Sequence, residues 1–279
     1  MPFIKNLNTD FVIKDNQIVL SREYLEKNAW RFKKITGTRF AAVLGLNKYS
    51  SPVQTWASIV GIYKEEMDPV LAKVGNIIEP KIRAFVNQKT NNNFQSHDLK
   101  KIGYDAFKDP VYGGVPDGEI FNDLDPKDKT ILEIKTTSID KFQYGMKDNQ
   151  MYLKFDEQGL PVVKLKGGKQ KEWFDQNDNI VVPNEYICQL SLYLHLRHMH
   201  KGLFAIAFLE KEDYKDPELF DPNKRQIVLV DMDLNDNEQF NQAIEFGRKW
   251  HEQYVKTGIS PKLTIKDVDW LKSELKLNG

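Results

Sequence analysis

Asp117, Glu133 and Lys135 are the residues whose types and spacing best fit a chemical reaction. Asp117 follows Pro116 in the stretch Gly113-Gly114-Val115-Pro116-Asp117-Gly118, and the run Val111 to Phe121 reads as a bent hairpin strand. Glu133 and Lys135 stand at i and i+2 of the run Leu132-Glu133-Ile134-Lys135. Residues Thr130–Thr136 read as a short strand, so these two side chains share one face. A turn through Asp125-Pro126-Lys127-Asp128 joins the two strands, so two carboxylates and a lysine converge at one end of a hairpin. Hard divalent cations take oxygen ligands of this kind, with water and substrate phosphate completing the shell. A lysine beside a metal-bound water orients it or stabilises its deprotonated form. The chemistry that needs these groups is hydrolysis of a phosphodiester. An acid-x-lysine pair alone is more often a surface salt bridge; both motifs together, in this order, are much rarer.

Two further features belong to the same constellation. Asp68-Pro69 caps a helix in which Val70, Val74, Ile77, Ile78, Ile82 and Phe85 recur at helical spacing. Pro80 inside it should kink or divide it, with Glu79 immediately before the kink. Downstream, Gln189 and Tyr193 lie at i and i+4 on one face of a helix expected from a cap at Asn184 to about His200, with Gly202 past its end. Taken alone, that pair is more simply a satisfied polar pair at the edge of a core.

Other elements must carry these groups. A hairpin is expected around Phe11 to Leu20, followed by a helix capped by Ser21. A short helix closes at Gly45, and another is bounded by Ser51, Pro52 and Gly61. Leu153 to Val182 reads as an inserted hairpin with Gly167-Gly168 at its tip. Strands at Leu203–Leu209 and Gln226–Met232 precede a helix from about Asn237 to Thr257. Lys262 to Gly279 reads as a peripheral extension. The order implies an α/β fold, a central mixed sheet flanked by helices. The chain is expected to form one domain: an N-terminal strand and helical region (1–66), a core with the insertion (67–235), and a C-terminal helix with extension (236–279).

Composition narrows the function classes. The 279 residues carry 40 Lys+Arg against 40 Asp+Glu, so a globally basic nucleic-acid coat is excluded, though a local basic groove is not. The single Cys188 excludes a disulfide framework, a zinc ribbon and a four-cysteine iron–sulfur cluster. No stretch of about 18 apolar residues is present and the start has no signal-like segment, so a cytoplasmic protein without a membrane partner is expected. Walker and dinucleotide loops are absent.

In combination and order, Gly114-Val115-Pro116-Asp117-Gly118, Glu133-Ile134-Lys135 and Gln189-x-x-x-Tyr193 resemble the motifs of the PD-(D/E)XK nuclease superfamily, RecB-like branch. Ile35-Thr36-Gly37-Thr38-Arg39-Phe40-Ala41-Ala42-Val43-Leu44-Gly45-Leu46, then Ser51-Pro52, Trp56 and Gly75-x-x-x-Glu79-Pro80, resemble the YqaJ-like viral recombinase family, which includes phage lambda exonuclease. The resemblance covers about residues 30 to 210. It implies a restriction-endonuclease-like core, α-β-β-β-α-β, and hydrolysis of DNA with Mg2+, for which Mn2+ can substitute, often from duplex ends.

Carried over by residue, the resemblance implies that Asp117, Glu133 and the backbone carbonyl of Ile134 hold metal. Glu79 joins them directly or through water. Lys135 positions the nucleophilic water, Gln189 steadies the site or the DNA end, and Tyr193 supports it. A single-strand annealing protein as partner and a homo-oligomer, a ring trimer in this family, are implied likewise. The family often has Gly-Ser-Asp where this chain has Gly37-Thr38-Arg39; Thr38 keeps a hydroxyl, and Arg39 reverses a charge and is a candidate for phosphate. Lys164, Lys166, Lys169 and Lys171 on the insertion read equally as a DNA clamp or as a solvated edge. Arg31, Lys33 and Lys34 beside Trp30 and Phe32 carry the same ambiguity. Two other readings stay open: an endonuclease of the same fold in restriction or defence, and an inactive DNA-binding protein.

Overall fold

The fold comes from a computed structural model, which describes residues 6–64, 68–103, 105–122, 125, 129–147, 150–234 and 238–275. The chain opens with an antiparallel hairpin, β1 (Phe11–Lys14) and β2 (Gln17–Leu20), turned by Asp15 and Asn16, both at positive φ. Helix α1 (Arg22–Asn28) follows, with the Ser21 hydroxyl accepting the Tyr24 N–H at 3.2 Å. Strand β3 (Ile35–Thr36) runs directly into α2 (Gly37–Val43), and α3 (Pro52–Ile59) starts on a reciprocal cap between Ser51 and Gln54. The long α4 (Pro69–Thr90), the short α5 (Leu99–Ile102) and β4 (Tyr112–Gly113), parallel to β3, lead to β5 (Thr130–Ser138).

An insertion carries β6 (Lys141–Phe142), β7 (Tyr144–Lys147), β8 (Gln150–Leu153) and β9 (Val163–Leu165). Helix α6 (Asn184–Arg197), β10 (Lys201–Leu209), α7 (Lys211–Lys215), β11 (Gln226–Asp233), α8 (Glu238–Trp250) and α9 (Ile265–Leu275) complete the order.

The central sheet runs β11–β10–β5, with β10 antiparallel to β11 and parallel to β5. Antiparallel bridges from Leu132 to Gly118 and from Glu119 to Gln95 extend it past β5. Residue alternation decides what each face meets. Leu132, Ile134, Leu203, Ala205 and Ala207 pack against Val74, Ile78, Ile82 and Val86 of α4. Ile131, Phe204, Ile206 and Phe208 pack under Leu190, Tyr193 and Leu194 of α6. Glu133 and Lys135 share the α6 face, so that face of β5 is covered by a helix and not by water.

Several expected boundaries shift. Helix α4 passes through Pro80 as one helix. The run from Val111 to Phe121 is broken at Gly114, φ 136°, into β4 and the bridges at Gly118 and Glu119. The insertion begins at Lys141, not Leu153, because β6 pairs with β9 and β7 with β8; Gly167-Gly168 form the turn after β9 and not a hairpin tip. Pro183, not Asn184, stands at the cap of α6, which ends at Arg197 with His198 left-handed. Gly202 lies in β10, where a Cβ would come within 2.7 Å of Leu190 Cδ2, so its small size serves packing and not a helix end. The last turn after α8 widens to a π-turn at His251–Val255. Pro126, Lys127, Asp128, Asn237 and residues 276–279 lie outside the described residues.

The segment from Lys262 is not peripheral. Leu263 and Leu271 are buried in the cluster that holds Phe11, Ile18, Trp56, Ile244, Trp250 and Val255, so both ends of the chain share one core. Asp267 is buried, with one oxygen accepting from Ser51 at 2.5 Å and the other from Thr264. Leu271→Ala is expected to cost about 2–5 kcal/mol, read as a lower urea midpoint; an unchanged midpoint would return this helix to the periphery.

Candidate active site

Four segments meet here: β5, the bend before Gly118 that bridges to it, α4 and α6. Glu133 is fully buried. Its Oε1 accepts from Lys135 Nζ at 2.6 Å and from Gln189 Nε2 at 2.6 Å, while its Oε2 is buried without a hydrogen-bond partner. Lys135 Nζ also donates to Gln189 Oε1 at 3.0 Å and lies 4.6 Å from the centre of the Tyr186 ring. Asp117 Oδ2 accepts the Ile134 N–H at 2.7 Å. Gly118 exchanges both backbone bonds with Leu132, so the next bonded position of the ladder would set Ile134 opposite Pro116. Proline has no N–H, so the Ile134 carbonyl finds no ladder donor there. From α4, Arg83 Nε donates to the Asp117 carbonyl at 2.7 Å, and its guanidinium pairs with Glu79.

Helix α6 sits close because two glycines let it. A Cβ at Gly37 would lie 2.6 Å from Gln189 Cγ and 2.8 Å from Tyr193 Cζ. Gly114 combines φ 136° with a Cβ position 2.7 Å from Tyr193. Buried Tyr193 therefore wedges between the start of α2 and the bend before Asp117, stacked on Phe107 at 5.5 Å.

Electrostatics follow from this crowding. Burial, and then the charge of Asp117, push the Glu133 carboxyl up to about 8 against the pull of Lys135. Burial and Asp117 likewise push Glu79 up to about 7. Burial also raises Asp117, opposed by Lys135 and the Ile134 N–H. For Lys135, burial alone would release the proton, but Glu133 and Asp117 outweigh it and hold the ammonium charged. Were all three carboxyls ionised, they would outnumber the two cations, Arg83 and Lys135, by one, and the raised carboxyls show that the site takes up protons to avoid that excess.

That excess, the orphaned Glu133 Oε2 and the Ile134 carbonyl suit a divalent cation with oxygen ligands. Asp117, Glu133 and Ile134 would hold it. Glu79 stands behind them on its ion pair with Arg83. Among the described residues no set of three or more His, Cys, Asp or Glu side chains is already gathered as a metal cluster, so the fit rests on two carboxylates and a backbone oxygen.

The other expected residues are placed elsewhere. Thr38 is exposed, its hydroxyl 3.0 Å from that of Thr36. Arg39 reaches back to the Lys34 carbonyl and the Ser58 hydroxyl. Lys164, Lys166 and Lys171 are exposed on the insertion, whereas Lys169 pairs with Glu172 at 2.6 Å, which also meets Lys141. Lys34 is paired with Asp105, and Arg31 lies over Trp30. Sequence reasoning missed Arg83 and Tyr186, although Arg83 stands four residues after Glu79 and Tyr186 three before Gln189, both at helical spacing.

A mixed sheet walled by α4 and α6, with an acid-x-lysine strand at its edge and a proline-aspartate bend beside it, defines the PD-(D/E)XK class of fold. The chain belongs to the YqaJ-like viral recombinase family, whose domain profile matches residues 28–200. It is 50% identical over 277 residues to the Mycoplasma genitalium protein named "Uncharacterized protein MG373", covering 98% of each chain. It is 44% identical, over the same share of each, to that protein's Mycoplasma pneumoniae homolog. Among solved structures, it is similar to an alkaline exonuclease, LHK-Exo, from Laribacter hongkongensis, with TM-score 0.49 and 14% identity over 92% of this chain and 100% of that one. A phage related exonuclease from Haemophilus somnus 129PT gives TM-score 0.48 and 13% identity over 89% and 99%.

Two outcomes are expected. Glu133 and Glu79 have folded-state values of about 8 and about 7 against 4.5, so between 4.5 and those values the folded protein binds more protons than the unfolded one. Stability in EDTA should therefore fall as pH rises from about 5 to about 8.5, and added Mg2+ should restore more at the higher pH. Urea titrations at both pH values check this; equal midpoints would contradict the buried excess charge. Gly37→Ala should lower stability by about 1–3 kcal/mol by forcing Gln189 and Tyr193 aside, read as a lower urea midpoint, and should lower activity with it.

Proposed function

We propose that this chain hydrolyses phosphodiester bonds in DNA with Mg2+ or Mn2+, acting on duplex from a free end. The observation that carries the reading is the Glu133–Lys135–Gln189 triad. It is a fully buried carboxylate with one oxygen fixed by a lysine and a glutamine and the other left for a ligand. Family membership supports DNA as substrate; the free end is what the motif resemblance implies.

Asp117, Glu133 and the Ile134 carbonyl would hold the cation, which when bound supplies positive charge to a phosphate oxygen and acidifies a water. Lys135 keeps its proton between two carboxylates. It therefore serves as a fixed donor that aims the attacking water at phosphorus and offsets negative charge as the phosphate becomes five-coordinate. Gln189 uses both ends of its amide, one on Glu133 and one on Lys135, so neither can rotate independently. Glu79 and Arg83 set Asp117 from behind through its backbone carbonyl. Excluding water from this floor makes each of these charges act more strongly than it would at a surface. A homo-oligomer, ring-shaped and threaded by DNA, and a single-strand annealing partner extend the same reading.

Linear and closed circular duplex, each with Mg2+ and with EDTA, test it. With Mg2+ the wild type should consume the linear DNA and leave the circle whole, and in EDTA it should leave both intact. Lys135→Ala and Glu133→Ala should each lose at least about 100-fold in rate while keeping the fold by circular dichroism. Cutting of the circle would move the protein to an endonuclease. Full activity in Lys135→Ala would overturn the site.

A further inference from the structure

The Lys135 ammonium carries three N–H donors, and two of them have oxygen partners, Glu133 Oε1 at 2.6 Å and Gln189 Oε1 at 3.0 Å. Among the described residues no oxygen accepts from the third. The ammonium's other close neighbour is the ring of Tyr186, whose centre lies 4.6 Å from Nζ. The Lys135 side chain keeps 15% of its surface exposed while that of Glu133 keeps none, so the lysine is open to a water and the carboxylate is sealed. A ring face attracts a cation through its quadrupole, and it does so without fixing the direction of any one N–H. An oxygen in the same place would claim the third donor, and an aliphatic side chain would set the charge against hydrocarbon. A ring therefore holds the ammonium and leaves one donor free.

The ring is itself fixed, and the insertion fixes it. Tyr186 stands in the first turn of α6, its N–H on the Pro183 carbonyl at 2.9 Å. Its ring is stacked on Trp173 at 5.5 Å and 12°. Trp173 closes a single 3-10 turn, Gln170–Trp173; it is buried, and it meets Phe208 of β10 edge-on at 6.4 Å. Phe174 stacks on the same Phe208 at 5.8 Å, and the Trp173 carbonyl accepts the Val181 N–H at 2.8 Å. A continuous set of contacts therefore runs from the sheet through Phe208, Trp173 and Tyr186 to the lysine that faces the reaction.

We propose that Tyr186 is a positioning residue of the reaction: its ring, set by Trp173, holds the Lys135 ammonium in place and leaves the third N–H for the attacking water. This rests on the DNA-hydrolase reading above and adds to it a residue that acts through Lys135 by the face of its ring. It also gives the insertion a part in the reaction centre through Trp173, independent of any lysine along its edge.

Digestion of linear duplex tests this in Tyr186→Leu, in Tyr186→Phe, and in Phe derivatives with one, two and three ring fluorines placed at position 186. Tyr186→Leu should lower kcat by about 10- to 30-fold, the size of one desolvated cation–π contact, with KM within about twofold of wild type. Tyr186→Phe keeps the ring face and should recover the rate to within about threefold of wild type. Fluorine draws electron density from the face while changing its shape little, so log kcat should fall steadily from the Phe variant through one, two and three fluorines. A ring that served packing alone would give one kcat across that series, and a flat series overturns the proposal, as does a loss in Tyr186→Leu carried by KM. Should Tyr186→Leu fold poorly, the fluorine series carries the test, because it keeps the volume of the ring. A second readout needs no DNA. Ring current should move the NMR signal of the Lys135 Cε protons, assigned with Lys135→Arg, upfield in the wild type and Tyr186→Phe relative to Tyr186→Leu. The same shift in all three overturns the proposal whatever the activity. A wild type that shows the upfield signal and cuts no DNA overturns the DNA-hydrolase reading and the positioning role with it, while the contact itself stands, so the two failures are told apart.

Discussion

The Glu133 carboxylate is buried where no water reaches it, and almost everything around it follows from having to tolerate that charge. A carboxylate removed from solvent needs a donor for each oxygen or it takes up a proton. Lys135 and Gln189 supply donors to one oxygen only. The other is left without one, and Asp117 beside it makes the electrostatic position worse. An arrangement like this is unfavourable as pure structure, since replacing buried ion pairs by apolar groups is often neutral or stabilising. On the proposed reading, it makes sense as a floor whose missing partner arrives as a cation.

Getting Gln189 to that carboxylate requires α6 to lie nearly on top of β5 and α2. The contact is set by absences of side chain. Gly37 and Gly114 make room for Gln189 and Tyr193, and Gly202 makes room for Leu190 one turn away along the sheet. Pro116 acts by a different absence, that of an N–H. It denies the Ile134 carbonyl a ladder donor, while the Ile134 N–H goes to the Asp117 carboxylate. One oxygen suited to a cation, the Ile134 carbonyl, is thereby left beside the segment that carries Asp117 by a residue that cannot donate.

Sequence periodicity exposed the chemistry better than the architecture. The i, i+2 spacing of Glu133 and Lys135 and the i, i+4 spacing of Gln189 and Tyr193 are local rules, and the structure puts both pairs where those rules require. Glycines misled, because one residue type serves two purposes: Gly202 and Gly167-Gly168 read as a helix end and a hairpin tip, yet one is a packing contact inside a strand and the others form a plain turn. The C-terminal helix was illegible for another reason. Its partners, Ser51 and the β1–β2 hairpin, lie more than 200 residues away in sequence, and no local pattern encodes a contact of that range.

Both ends of α6 are fastened, and this is what turns a helix into a fixed part of the site. At its first turn, Tyr186 is stacked on Trp173 of the insertion. At its last residue, Arg197 grips Glu119 with two nitrogens at 2.8 and 3.1 Å, with His97 on the same carboxylate at 3.0 Å. Burial alone would raise the Glu119 carboxyl, but His97 and Arg197 outweigh it and hold it below the usual range. Glu119 lies two residues past Asp117, so the ion pair joins the strand carrying one candidate ligand to the helix carrying the groups that grip the other. Arg197 also lies over Phe107, which stacks on Tyr193. A buried ion pair of this kind contributes little net stability, because desolvation offsets most of its attraction. Its use here is geometric. It ties the segment that carries Asp117 to the end of the helix that carries Gln189, which a purely apolar contact, free to slide, would not do.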